Sequence, residues 1–83
     1  MTYRVHVRVM PRAGLLDPQG KAVEQALGAL GFAGAGGVRI GRAIELSVAA
    51  ESRDEAEAQA RRMCDKLLAN PVTEDYLLDV EEA

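Results

Sequence analysis

Tyr3, Val5, Val7 and Val9 alternate with Arg4, His6, Arg8 and Met10 at the start of the chain, the period-two signature of a strand with one buried face. Pro11-Arg12-Ala13-Gly14 breaks that run, and Asp17-Pro18 follows as a helix N-cap with proline at the first helical position. Val23, Ala26, Leu27 and Leu30 then recur at helical spacing up to Gly31, predicting a first helix over 18–30. After the glycine-rich connection 34–37, Val38 and Ile40 alternate with Arg39 and Gly41, and Ile44, Leu46 and Val48 with Glu45, Ser47 and Ala49. This predicts a hairpin of two strands turning near Gly41-Arg42. Ser52-Arg53-Asp54-Glu55 reads as a capping box that opens a second helix. Its apolar stripe is Ala56, Ala60, Met63 and Leu67, widened by Cys64 and Leu68. Asn70-Pro71 ends it, because proline drives the preceding residue out of helical geometry and has no N–H to donate. Tyr76, Leu78 and Val80 mark a last strand.

The order βαββαβ over a single domain, 1–83, predicts a ferredoxin-like α+β sandwich. Four antiparallel strands in the order 4-1-3-2 are expected, with both helices on one face and the other face open. On the open face Arg4, His6 and Arg8 would lie between Glu45 on one side and Asp79 and Glu81 on the other, where cross-strand ion pairs satisfy them.

Composition adds a shortage. Three aromatic residues, Tyr3, Phe32 and Tyr76, and alanine-rich helices in 83 residues give a thin core. A single cysteine allows no intrachain bridge, so self-association into a dimer or a dimer of dimers is expected. That lone cysteine, the immediate start on a strand pattern and the lack of a long apolar run point to a cytoplasmic chain without a membrane segment. The net charge of −3 is unevenly spread: residues 1–42 carry six Lys/Arg and two Asp/Glu, residues 43–83 four and eleven. A nucleic-acid binder would be basic over a whole face and supply stacking aromatics; two halves of opposite sign suit head-to-tail or dimeric complementarity between copies, or simply a solvated surface.

Candidate chemistry is sparse. His6, the one histidine, stands between two arginines whose repulsion is expected to lower its pKa. Cys64 belongs to the buried helical stripe, where a free cysteine acts as a small hydrophobe. With no CxxC and no His/Cys cluster, no metal site is expected. Asp17-Pro18-Gln19-Gly20-Lys21 has two readings: a helix start that holds an anion, or a cap and tight turn in which Asp17 itself supplies the negative charge. Gly20 weakens a first turn by about 1 kcal/mol relative to alanine, and close approach of another backbone would account for it. Leu15 and Leu16 in the preceding loop either pack beneath it or anchor a partner. Glu74-Asp75 and Glu81-Glu82 suit a solvated edge.

Several segments in order carry a family resemblance: Val5 to Arg12; Leu16 to Val23 with Ala29-Leu30-Gly31-Phe32; Val38 to Leu46; and Met63 to Pro71 with Glu74 and Tyr76. Together they resemble the PurS family, the small subunit of phosphoribosylformylglycinamidine synthase. The resemblance implies a non-catalytic bridging component between a glutaminase subunit that releases ammonia and a large synthetase subunit that adds it to formylglycinamide ribonucleotide. ATP and magnesium would be used by the synthetase, with no cofactor bound by this chain. It also places Pro11, Arg12, Leu15, Leu16, Asp17, Gln19, Gly20, Arg39, Asn70 and Pro71 at a partner interface. Residues 33–37 are richer in glycine than the family's usual segment, which predicts a short second strand. The alternative is a small ligand-sensing α+β domain holding an anion at the helix start over Asp17 to Lys21.

Overall fold

The computed structural model describes all 83 residues, as three strands and two helices: β1 (Thr2–Pro11), α1 (Pro18–Ala29), β2 (Arg42–Ala49), α2 (Arg53–Met63) and β3 (Glu74–Glu82). The strands form one antiparallel sheet in the order β2-β1-β3. The alternation of β1 sets its faces: Tyr3, Val5, Val7 and Val9 are buried, while Arg4 and Arg8 are exposed. In register, Val5 pairs with Leu46 and Val80, and His6 with Glu45 and Asp79, so one face is apolar and the other is a ladder of charges.

The α+β class and the antiparallel sheet agree with the sequence reading, and two of its details are corrected. The expected strand over Val38 to Ile40 joins no ladder, leaving three strands and no 38–48 hairpin. Its backbone donors are claimed by side chains instead: the Ile40 N–H donates to Asp17 Oδ2 at 2.8 Å and the Val38 N–H to Glu24 Oε1 at 3.3 Å. The second correction concerns the helices. Only α2 covers the apolar face, lying mainly over β3 and less over β1 and β2, and α1 has no comparable packing on any element. The segment beside α1 is stitched to its first turns, which holds the helix out from the sheet. The molecule is consequently a slab of 51 × 26 × 14 Å with a radius of gyration of 16.3 Å, against about 12 Å for a compact chain of this length.

The second helix starts as its sequence requires. Ser52 Oγ accepts from the Glu55 N–H at 3.1 Å, and the Glu55 carboxylate reaches back to the Glu51 N–H at 3.0 Å. Ala56, Ala60 and Cys64 are fully buried against β1 and β3 residues of the core. At Cys64 the helix widens into one π turn, Cys64–Leu68, in which the Ala69 N–H donates five residues back to the Cys64 carbonyl at 3.0 Å. Each residue of such a turn advances through a smaller angle than in an α-helix. Leu68 therefore swings into the core stripe, while Leu67, expected inside that stripe, is 82 % exposed.

Candidate functional site

The exit of β1, the start of α1, residues 38–41 and the loop 69–73 converge at one end of the sheet, and nearly all the predicted interface residues lie there. Asp17 organises the first three. Its two carboxylate oxygens accept from the Gly20 N–H at 2.9 Å and the Ile40 N–H at 2.8 Å. These backbone donors hold its carboxyl below the ordinary carboxylate range. Gly20 is buried because the Val38 carbonyl approaches where a Cβ would stand, the close backbone approach its sequence position suggested. Gly41 is likewise pressed against the Val9 carbonyl and Met10 Sδ. Asp17 and Gly20, expected at a partner surface, are thus committed to an internal clasp. The Gly20 N–H, one of the donors an anion would use at this helix start, is filled by the Asp17 carboxylate itself.

Around the clasp lies an open cleft of about 370 Å³, whose walls include Arg12, Leu15, Leu16, Lys21 and Arg39. The Arg39 guanidinium donates to the Pro11 carbonyl, which ties residues 38–41 to the end of β1. Leu15 and Leu16 are 48 % and 84 % exposed and do not pack beneath their loop. Gln19 is exposed on the first turn of α1.

On the far side of Arg12, the loop 69–73 is held by a second set of contacts. Arg12 donates through its guanidinium to the Pro71 carbonyl, lies 3.3 Å from Asp75, and through its backbone N–H reaches the Thr73 carbonyl at 2.9 Å. Asn70 Oδ1 accepts from the Val72 N–H at 3.0 Å, while the Asn70 N–H donates to Glu74 at 2.7 Å. Glu74 is also paired with Arg42 at 2.8 Å, which lowers the carboxyl pKa and raises that of the guanidinium. Glu24 and Arg42 were not singled out by sequence reasoning, and Glu74, read there as part of a solvated edge, is instead engaged by Arg42 and the Asn70 N–H. Arg42 and Glu74 stand 32 positions apart with no local pattern between them, whereas the extended run at Val38 could have prompted a search for side-chain acceptors on α1.

His6 and Cys64 do not meet. Cys64 is buried in the core, and burial pushes its thiol pKa up, away from thiolate chemistry. His6 sits on the charged face, with Nε2 at 2.9 Å from Glu81 and Nδ1 at 3.5 Å from Glu45. Its pKa is raised, first by the hydrogen bond to Glu81, and the expected depression by arginine is overturned because the carboxylates of both flanking strands outweigh Arg4. No group of three or more His, Cys, Asp or Glu side chains converges to hold a metal. No helix is long and apolar enough to cross a membrane.

Comparison with known proteins covers almost the whole chain. The family model for PurS, described as phosphoribosylformylglycinamidine (FGAM) synthase, matches residues 4–82. The phosphoribosylformylglycinamidine synthase subunit PurS of Bacillus subtilis is 44 % identical over 80 residues, covering 96 % of this chain and 94 % of its relative. A solved structure of B. subtilis PurS superposes with a TM-score of 0.87, again at 44 % identity and with 96 % and 99 % of the two chains covered. A chain in the structure of PurLQS from Thermotoga maritima gives a TM-score of 0.89 at 28 % identity, covering 98 % of this chain and 99 % of that one. With the ordered motifs, the fold and these matches in agreement, the chain belongs to the PurS family.

Proposed function

We propose that this chain is the non-catalytic bridging subunit of phosphoribosylformylglycinamidine synthase in purine biosynthesis. It joins a glutaminase subunit to a large ATP-dependent synthetase subunit, as a homo-oligomer in the cytoplasm. The observation that carries this is the match along residues 4–82 to the family, together with a relative of the same chain shape found in a structure of PurLQS. The side-chain chemistry is consistent with this reading: the one thiol is sealed in the core, and the one imidazole lies on the exposed charged face, engaged by carboxylates. ATP and magnesium belong to the synthetase in this reading, and the chain itself carries neither.

The partner enzymes are met at the loop end. Pro11, Arg12, Leu15, Leu16, Gln19 and Arg39 present apolar, polar and basic groups at or beside the cleft, and Asn70-Pro71 lies on the far side of Arg12, while Asp17 and Gly20 act by holding that surface in place. A docked bridge matters chemically because free ammonia is mostly protonated near neutral pH and then not nucleophilic, so a route closed to water preserves it. Reconstitution tests the proposal. Leaving this chain out is expected to abolish glutamine-dependent synthesis while high added ammonia still supports turnover; equal glutamine-dependent rates with and without the chain would overturn it.

A further inference from the structure

The face of the sheet opposite α2 changes character along its length. Register sets its rows: Arg4 stands between Ser47 and Glu81, His6 between Glu45 and Asp79, and Arg8 between Ala43 and Leu77. The first two rows satisfy their own charges. Arg4 lies 3.6 Å from Glu45, and His6 bonds Glu81 at 2.9 Å. The third row does not, because neither flanking strand offers an acid there and Arg8 makes no ion pair. Asp75, on the diagonal, is already held 3.3 Å from Arg12. Leu77, directly opposite Arg8, is 63 % exposed, whereas the rows of Arg4 and His6 carry only polar side chains.

Arg8 and Leu77 together line two open depressions. One, of about 300 Å³, includes Ala43 and Ile44 and runs toward the charged rows; the other, of about 240 Å³, includes Met10, Ala13 and Arg39 and runs toward the loop end. Ala13 and Arg39 also line the cleft beside the Asp17 clasp. The patch therefore continues the loop-end surface around the exit of β1 and onto the sheet.

This row specifies what can cover it. A guanidinium taken out of water without a counter-charge is strongly unfavourable, so an occupant has to bring an anion. The planar fork of arginine matches a carboxylate through two parallel hydrogen bonds. Leu77 and Ala43 on either side call for an apolar neighbour beside that carboxylate, and the water excluded there strengthens the pair. A second copy of the chain does not supply this, since a two-fold contact centred on the row sets Arg8 against Arg8.

We infer that the row of Arg8 and Leu77 receives an enzyme subunit of the complex through an exposed aspartate or glutamate, whose carboxylate is bound by the Arg8 guanidinium while an adjoining apolar side chain rests on Leu77 and Ala43. This rests on the bridging role proposed above and adds to the loop end a second contact of stated chemistry. Arg8 acts as the anchor at the centre of the patch, and Leu77 and Ala43 as the dry rim that keeps the pair from water.

The affinity of the chain for the glutaminase and synthetase subunits, each singly and both together with glutamine and ATP, tests this. Arg8→Glu is expected to lower the affinity for one subunit, or for the assembled pair, by about tenfold or more. Arg8→Gln, which keeps the length and removes the charge, is expected to lower it in the same step by less, and so is Leu77→Ser. Arg62→Glu, the same charge change on an exposed residue of α2, is expected to leave the affinity unchanged. Wild-type affinity in both Arg8 variants, or an equal loss in Arg62→Glu, would overturn the assignment. A lower sedimentation mass for Arg8→Glu in the absence of the enzymes would give the face to a second copy and overturn it as well. Unaltered assembly of the Arg8 variants, alongside loss of glutamine-dependent synthesis when the chain is left out, removes the Arg8 contact and leaves the bridging role standing; failure of the wild-type chain to bind either enzyme subunit removes both.

Discussion

A methyl group at position 20 would collide with the Val38 carbonyl. Gly20→Ala, which in an open helix gains up to about 1 kcal/mol, is therefore expected to lose about 1–3 kcal/mol here, measured as a lower urea midpoint. A neutral or stabilising result would mean that residues 38–41 do not lie against α1. His6 carries a pH dependence. Its pKa is raised from 6.5 by Glu81 and Glu45, so the folded state holds the protonated ring more tightly than the unfolded chain does. That contribution is complete below about pH 6.5 and is lost as pH rises through the higher folded value. The stability difference between wild type and His6→Gln should shrink from about pH 6 to about pH 8, and a difference constant with pH would contradict it. Arg4, Glu45 and Glu81 were legible as a ladder in the sequence alternation, whereas Arg8, expected to be paired across strands, stands opposite Ala43 and Leu77 and makes no ion pair. The sign of the His6 shift was not, because neighbours in sequence lie on one strand while the carboxylates that decide it come from two others.

At the scale of elements, β1, β2, β3 and both helices were legible because each has a clean period and a stop. Two features were not. Val38 to Ile40 has the alternation of a strand, but strand pairing is decided by which acceptors come near, and Asp17 and Glu24 reach its N–H groups. Leu67 fits an α-helical stripe, yet one extra residue in the turn displaces it. If the π turn stores one residue beyond an α-helical register, deleting Lys66 should restore that register and keep Leu68 in the core, for a cost below about 2 kcal/mol. Deleting Gln59, by contrast, rotates Cys64 and Leu68 off the stripe shared with Ala56 and should abolish cooperative unfolding. Equal losses in thermal melts of the two deletions would refute this account of the turn.

For the whole molecule, the sequence order βαββαβ was enough to suggest a two-layer sandwich, but not that one chain fills its layers incompletely. Nothing in the 3.6-residue period of Val23, Leu27 and Leu30 says whose sheet lies beneath it, and a helix that packs on its own chain has the same pattern as one that packs on another. At the loop end, the sequence shows proline, arginine and leucine beyond what turns and caps require, but not that these segments converge on one end of the sheet. The two questions meet in α1. Asp17 fixes where the helix begins, and Gly31, at positive φ with its N–H bonded to the Gly28 carbonyl, fixes where it ends. Twelve residues at about 1.5 Å each give a strut about 18 Å long. That strut is a ruler: the reach from the Asp17 clasp to the glycine that ends the helix is set in steps of one helical residue.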